Sequence, residues 1–162
     1  MTNFKRMFGE RCDFMHEIAI MIGIQASGKS TFCKSYLMGY DRINLDTLHT
    51  RNKENTAIDD AFRAKRNMVI DNTNPTVQDR EKYIRKAKEN GYHVVGYFMQ
   101  SKLQECVARN DQREGKAKIP TKAIAATSNR LEMPSYLEGF DALYFVKLTK
   151  AGVFIEKWKE ES

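Results

Sequence analysis

The sequence predicts an α/β fold, a mostly parallel five-stranded sheet flanked by helices. Three observations carry that prediction. Short apolar runs such as Ile18-Ala19-Ile20-Met21-Ile22 and Val94-Val95-Gly96-Tyr97-Phe98-Met99 are too brief for buried helices and read as buried strands. Polar segments of helical composition separate them, an alternation that favours parallel strands joined by right-handed crossovers. Between the first strand and the first helix lies Gly23-Ile24-Gln25-Ala26-Ser27-Gly28-Lys29-Ser30-Thr31, a glycine loop in a strand–loop–helix context.

The elements follow in order. Residues 1–16 show no clear period and form an N-terminal arm, either a short helix or a loose segment. The first strand covers Glu17–Ile22, and the first helix residues 29–38, with Gly39 at its C-cap position. Ile43 and Leu45 mark a short second strand that delivers Asp46 at its C-terminal end, the edge where open α/β sheets bind ligands. Residues 47–66 are mostly helical in composition, interrupted by Arg51-Asn52-Lys53-Glu54-Asn55. Asn67-Met68-Val69-Ile70-Asp71 is the third strand, again ending in an acid. Asn72-Thr73-Asn74-Pro75 is a turn, with Asn74 capping a helix that Pro75 opens and Gly91 stops. Residues 92–99 form the fourth strand. Residues 102–110 form a helix with Leu103, Cys106 and Val107 facing inward. A charged loop over 111–120 leads to a helix over 121–131 capped by Thr121. Residues 141–148 form the fifth strand. After Thr149-Lys150-Ala151-Gly152, the segment 153–158 returns as an antiparallel edge strand or forms a short helix.

A chain of 162 residues, 41% hydrophobic and 30% charged, suits one globular domain spanning 1–162. No apolar run approaches the ~20 residues of a membrane span, and the first residues lack a signal-like apolar core, so a cytosolic protein is expected. Cys12, Cys33 and Cys106 form no C-x-x-C pair, and His16, His49 and His93 are scattered, which disfavours a zinc site or disulfide framework. A net charge of +6 accommodates a polyanionic partner without requiring one.

The glycine loop dictates its own chemistry. Gly23 and Gly28 permit backbone torsions and a close approach that side chains would block. The N–H groups across Gln25, Ala26, Ser27 and Gly28 can then converge as an anion nest, reinforced by the helix N-terminus. Lys29 reaches the β and γ phosphates of a bound nucleotide, Ser30 offers its hydroxyl to Mg²⁺, and Thr31 supports the loop or the α phosphate. ATP and Mg²⁺ are the expected cofactors, and the fold is a P-loop NTPase of kinase type.

Further residues point to phosphoryl transfer onto a hydroxyl. Asp46, a carboxylate at a strand end, can accept the acceptor's proton or merely cap a helix. Arg109 and Arg113, four residues apart, can share one helical face over the phosphates or belong to a solvated loop. Asp71 lies beside the loop if the third strand neighbours the first. There it binds a metal-bound water, orients a base at the substrate, or serves only the turn.

Taken together, the glycine loop, Arg42-Ile43-Asn44-Leu45-Asp46, Ile70-Asp71-Asn72-Thr73-Asn74-Pro75 with Arg80, Arg109-Asn110 with Arg113, Ile119-Pro120 and Glu138-Gly139-Phe140 resemble the polynucleotide 5′-kinase family. The similarity runs over about residues 18–148 and implies a small stand-alone P-loop kinase. It implies Asp46 as general base, Lys29 and Ser30 as the phosphate and magnesium residues, and Arg113 as the lid arginine on the transferring phosphate. It further implies Arg109 as a second, nucleotide-side arginine and Asp71 as an acid near the substrate. Three residues past the base, where the family's phage member has an arginine for the substrate phosphate, this chain has His49, with Arg51 two further on. Either is a candidate for that role. The expected activity is transfer of the ATP γ-phosphate to an acceptor hydroxyl, first of all the 5′-OH of DNA or RNA. A small-molecule acceptor (sugar, nucleoside or antibiotic) and a nucleotide-binding module without an acceptor are the alternatives. The oligomeric state is left open.

Overall fold

The strand preceding the glycine loop, β1 (Glu17–Ile22), is buried along its whole length. Continuous burial needs cover on both faces, which is why the run is apolar throughout rather than alternating. The computed structural model describes residues 16–160. The N-terminal arm expected over 1–16 therefore lies outside the described residues except for His16. Within them, β2 (Asp41–Ile43), β3 (Met68–Ile70), β4 (His93–Met99), β5 (Ala142–Thr149) and β6 (Gly152–Lys157) join β1 in one six-stranded sheet. Its order is β2-β3-β1-β4-β5-β6, parallel except for the antiparallel β5–β6 pair. The C-terminal segment is thus the edge strand, not a helix, and it adds a sixth strand to the five expected.

The helices are α1 (Lys29–Tyr36), α2 (Leu45–Leu48), α3 (Arg51–Arg63), α4 (Val77–Glu89), α5 (Leu103–Asp111) and α6 (Thr121–Arg130). Strand alternation sorts the core into two layers. Ile18, Ile20 and Ile22 pack with Ile58, Phe62, Tyr83 and Ile84 of α3 and α4. Ala19 and Met21 face the other way, against Phe32 and Cys33 of α1. A smaller cluster of Ile24, Ala26, Cys106 and Ile124 seats the glycine loop on α5 and α6. Gly96 on β4 permits close packing: a Cβ there would come within 2.5 Å of Leu143 and 2.8 Å of Phe140. No helix among the described residues is long and apolar enough to cross a membrane.

Several local expectations are corrected. Asp46 is not on a strand end. Asn44 leaves the strand and caps α2 by accepting from the Thr47 N–H, which puts Asp46 in the first turn of a short helix. The Arg51–Asn55 cluster does not interrupt a helix but opens α3, capped by the Thr50 side chain. The break falls at His49, whose φ is 68°. Asn74 does not cap α4. Thr76 does, in a reciprocal capping box with Asp79, while Asn74 adopts a positive φ and donates to the Met21 carbonyl at 2.7 Å. Thr121 is inside α6, whose cap position is Pro120, and α1 ends at Leu37 before Gly39 is reached. Leu103 is largely exposed, so α5 buries Cys106 but not its first residue. At α4 the cap passed from one polar residue to another two positions on, candidates that local composition ranks almost equally.

Candidate active site

Parallel strands deliver their C-terminal ends to one edge, and the chemistry-bearing residues gather there. β1 runs into the glycine loop, and the Gly23 N–H donates to the Thr73 carbonyl at 3.0 Å, tying the loop to the turn after β3. Ala26 and Gly28 hold left-handed torsions, φ 62° and 98°. Gly28 is obligatory, since a Cβ there would also collide with Leu148. It is the N-cap of α1 and supplies no side-chain cap, so the first-turn N–H groups of Lys29, Ser30 and Thr31 are open to an anion. The Ser27 hydroxyl is buried with no partner among the described residues. An uncapped helix end and an orphaned hydroxyl in the loop fit the phosphates of a nucleotide.

Lys29 folds back over this loop and donates to the Gly23 and Ile24 carbonyls at 2.9 and 2.7 Å. Burial lowers its pKa to about 8, against the opposing pull of the Asp71 charge. The Arg113 charge works in the same direction as burial, as a smaller effect. Arg113 itself is past the end of α5, is exposed, and donates to the Ala117 carbonyl at 3.4 Å. It does not share a helical face with Arg109, as the four-residue spacing had suggested. Arg109 is still on α5 and donates to the Ala26 carbonyl at 3.3 Å, leaning on the loop. Gln25 points away from the phosphate nest, donating to the Thr127 hydroxyl on α6 at 3.0 Å.

Asp71 follows β3, which pairs with β1 in parallel. It is 1% exposed and accepts from the Ser30 hydroxyl at 3.0 Å and from Arg42 Nε at 2.7 Å. Arg42 Nη2 also reaches the Ser30 hydroxyl at 3.1 Å. Buried against Ser30, Asp71 stands beside the glycine loop, next to the hydroxyl offered to Mg²⁺. Among the described residues no cluster of three or more His, Cys, Asp or Glu is arranged to hold a metal. One hydroxyl with a carboxylate behind it suits Mg²⁺, which keeps most of its waters and takes phosphate oxygens as ligands.

Across the Asp71–Asn72 turn lies a polar cleft of about 160 Å³, lined by Leu45, Arg51, Asn72, Tyr83, Thr127 and Arg130 among others. Asp46, the residue after Leu45 on α2, is exposed and, like His49, is not part of the lining. His49 caps the end of α2 and is exposed, and it is not part of the cleft lining, whereas Arg51 is. Arg51 Nη1 donates to Glu54 Oε1 at 3.1 Å and to the Tyr83 hydroxyl at 3.0 Å. Tyr83 donates to Glu54 Oε1 at 2.8 Å; burial, aided by the Glu54 charge, raises its pKa and keeps the proton in place. Glu54, Asn72, Tyr83, Thr127, Arg130 and Arg42 escaped the sequence reading of the site. Only Arg42 and Asn72 fell within motifs already singled out.

A family model described as an AAA domain matches residues 52–134, half of the chain. The chain belongs to the AAA domain family. The match begins beyond the glycine loop, whose assignment rests on the geometry above. This AAA domain is similar to a bifunctional polynucleotide phosphatase/kinase of Schizosaccharomyces pombe, 34% identical over 131 residues, covering 76% of this chain and 32% of that protein. The chain spans about a third of the length of the curated relatives it matches. Among solved structures, Chaetomium thermophilum Kti12 in complex with ADP-AlF3 matches with a TM-score of 0.65 at 16% identity, covering 83% of this chain and 92% of that one. A gluconokinase from Sinorhizobium meliloti 1021 matches with a TM-score of 0.57 at 18% identity, covering 85% of each chain. At those identities the likeness shows the fold alone, a P-loop kinase-type sheet.

Proposed function

We propose that this AAA domain is an ATP- and Mg²⁺-dependent kinase that transfers the γ-phosphate to an acceptor hydroxyl, the 5′-OH of DNA or RNA. The observation that carries the reading is the opposition of two halves across one turn. The phosphate loop with Ser30 and Asp71 lies on one side, and the polar cleft, whose lining includes Leu45 just before Asp46, lies on the other. The polynucleotide phosphatase/kinase relative supports the choice of acceptor.

In this mechanism the loop N–H groups and Lys29 bind the β and γ phosphates. Ser30 and Asp71 would hold the metal, which supplies charge neutralisation on the phosphate oxygens. Asp46 accepts the proton of the attacking hydroxyl, so that the oxygen can attack in line. Arg113 swings from the exposed loop after α5 onto the transferring group, and Arg109 steadies the nucleotide through the loop.

The test is transfer of labelled γ-phosphate from ATP to 5′-OH oligonucleotides of DNA and RNA, wild type beside Asp46→Asn. Label at the 5′ end, reduced at least ~100-fold in the variant with ATP binding retained, is the expected result. Labelling of neither polymer would overturn the polynucleotide reading. Full activity in the variant would remove Asp46 as the base.

A further inference from the structure

A second cavity, of about 260 Å³, lies outside the mechanism, between α1 and the edge strand β2. Cys33, Leu37 and Val69 are buried and give it an apolar floor, with Met38 exposed beside them. Burial pushes the Cys33 thiol up to about 12, so the floor carries no negative charge. The charged members of the lining are Lys34 and Arg42, both cations, and no carboxylate is among them. Lys34, in the last turn of α1, is exposed and enters no ion pair among the described residues. A concave apolar floor with two cations and no acid is complementary to an anion that carries an apolar body.

Arg42 belongs to this cavity and to the metal site at once. Its Nε and Nη2 hold the Asp71 carboxylate and the Ser30 hydroxyl, the oxygens expected to take Mg²⁺. Nη1 has no hydrogen-bond partner among the described residues, and the side chain is 35% exposed. A metal ion and a guanidinium cannot share these two oxygens without strong repulsion between like charges. Binding of Mg²⁺ there therefore requires Arg42 to leave. A guanidinium that gives up one carboxylate is best received by another, which forms the same charge-assisted bonds.

We propose that the cavity binds a small carboxylate with an apolar body, its charge held by Lys34 and Arg42, and that this ligand favours Mg²⁺ binding by taking Arg42 from Asp71. The proposal rests on the Mg²⁺-nucleotide reading of the glycine loop and is independent of the choice of acceptor. Such coupling is reciprocal: a carboxylate that tightens the metal is itself tightened by the metal to the same degree.

The experiment is calorimetric titration of octanoate into the whole chain, with 1-octanol as the uncharged control. The chain is loaded either with Mg·ADP or with ADP and EDTA, so no transfer reaction is read. Wild type should bind octanoate in preference to octanol, and about tenfold more tightly in the Mg·ADP form, the usual scale of coupling between two sites. Lys34→Ala should weaken octanoate about tenfold in both forms, with Mg·ADP affinity unchanged. Arg42→Ala should abolish the difference between the two forms. Lys34→Ala, at an exposed side chain, keeps the test decisive should the Arg42 variant fail to fold. Absent octanoate binding in wild type, octanol binding as tight as octanoate, or equal octanoate affinity in the two forms would overturn the proposal. If Mg·ADP does not bind wild type, the nucleotide reading falls, and the cavity is judged on octanoate alone. A tenfold loss in Lys34→Ala would then keep the carboxylate site, and equal binding would overturn it.

Discussion

Replacing Arg80 with Met should destabilise the domain by about 3–5 kcal/mol, the range for removing one partner of a buried ion pair. Arg80 on α4 has no exposed surface, and Glu138 is 6% exposed. The pair is bidentate, Nε to Oε1 at 2.7 Å and Nη2 to Oε2 at 3.1 Å. Nη1 donates to the carbonyls of Asn74, Pro75 and Glu132. Met fills the methylene volume but leaves a buried carboxylate and those carbonyls unpaired. Glu138 keeps the Ser135 N–H at 2.9 Å, so the loss falls in the lower half of the range. Urea unfolding at low temperature reads the change as a lower midpoint at unchanged slope. Glu138→Leu in the same chain should recover most of it, because no unpaired charge then remains. A loss below ~1 kcal/mol in the single variant, or a double variant no better than the single, would refute the reasoning.

Two further predictions concern the nucleotide side. Lys29 must be charged to hold phosphates, and in the free protein its pKa is lowered to about 8 by burial. Bound phosphates favour the charged form, so ATP affinity should be full below pH 8 and fall as pH rises through it; Lys29→Arg should flatten the profile, and calorimetry from acid to alkaline pH checks both. Arg42 now occupies the Asp71 and Ser30 oxygens where a metal is expected. A hydrogen bond of that charged kind is worth ~1.5–3 kcal/mol, so Arg42→Ala should lower the Mg²⁺ concentration for half-maximal activity about tenfold or more. A rise instead would mean that Arg42 supports Asp71 rather than competing for it.

The glycine loop was legible in the sequence because its left-handed torsion at Gly28 and its uncapped helix start restrict the residue types allowed. Glycine must stand at Gly28, where the torsion is left-handed and a Cβ would strike Leu148, and Lys29-Ser30 must follow at once. Parallel alternation fixed the sheet, and β1 was found at its observed bounds because an apolar run covered on both faces leaves no ambiguity of period. Asp46 was flagged correctly as a residue of the edge but on the wrong element, since capping by Asn44 depends on a handful of local hydrogen bonds.

The acceptor side was not legible in this way. Arg51 was named only as an alternative to His49, and Glu54 read locally as one of a polar cluster interrupting a helix. Glu54 becomes a buried carboxylate only because the packing of α3 and α4 presents it to Tyr83, 29 residues away, and to Asn72, 18 residues away. What the sequence determined by itself was the sheet, the phosphate loop and the acids at its edge, where backbone geometry restricts the residue types allowed. What only the tertiary structure decided was which polar side chains are removed from water together. That depends on contacts distant in sequence, and desolvation of Glu54 is what turns an ordinary helix-face glutamate into a fixed anchor for the exposed Arg51.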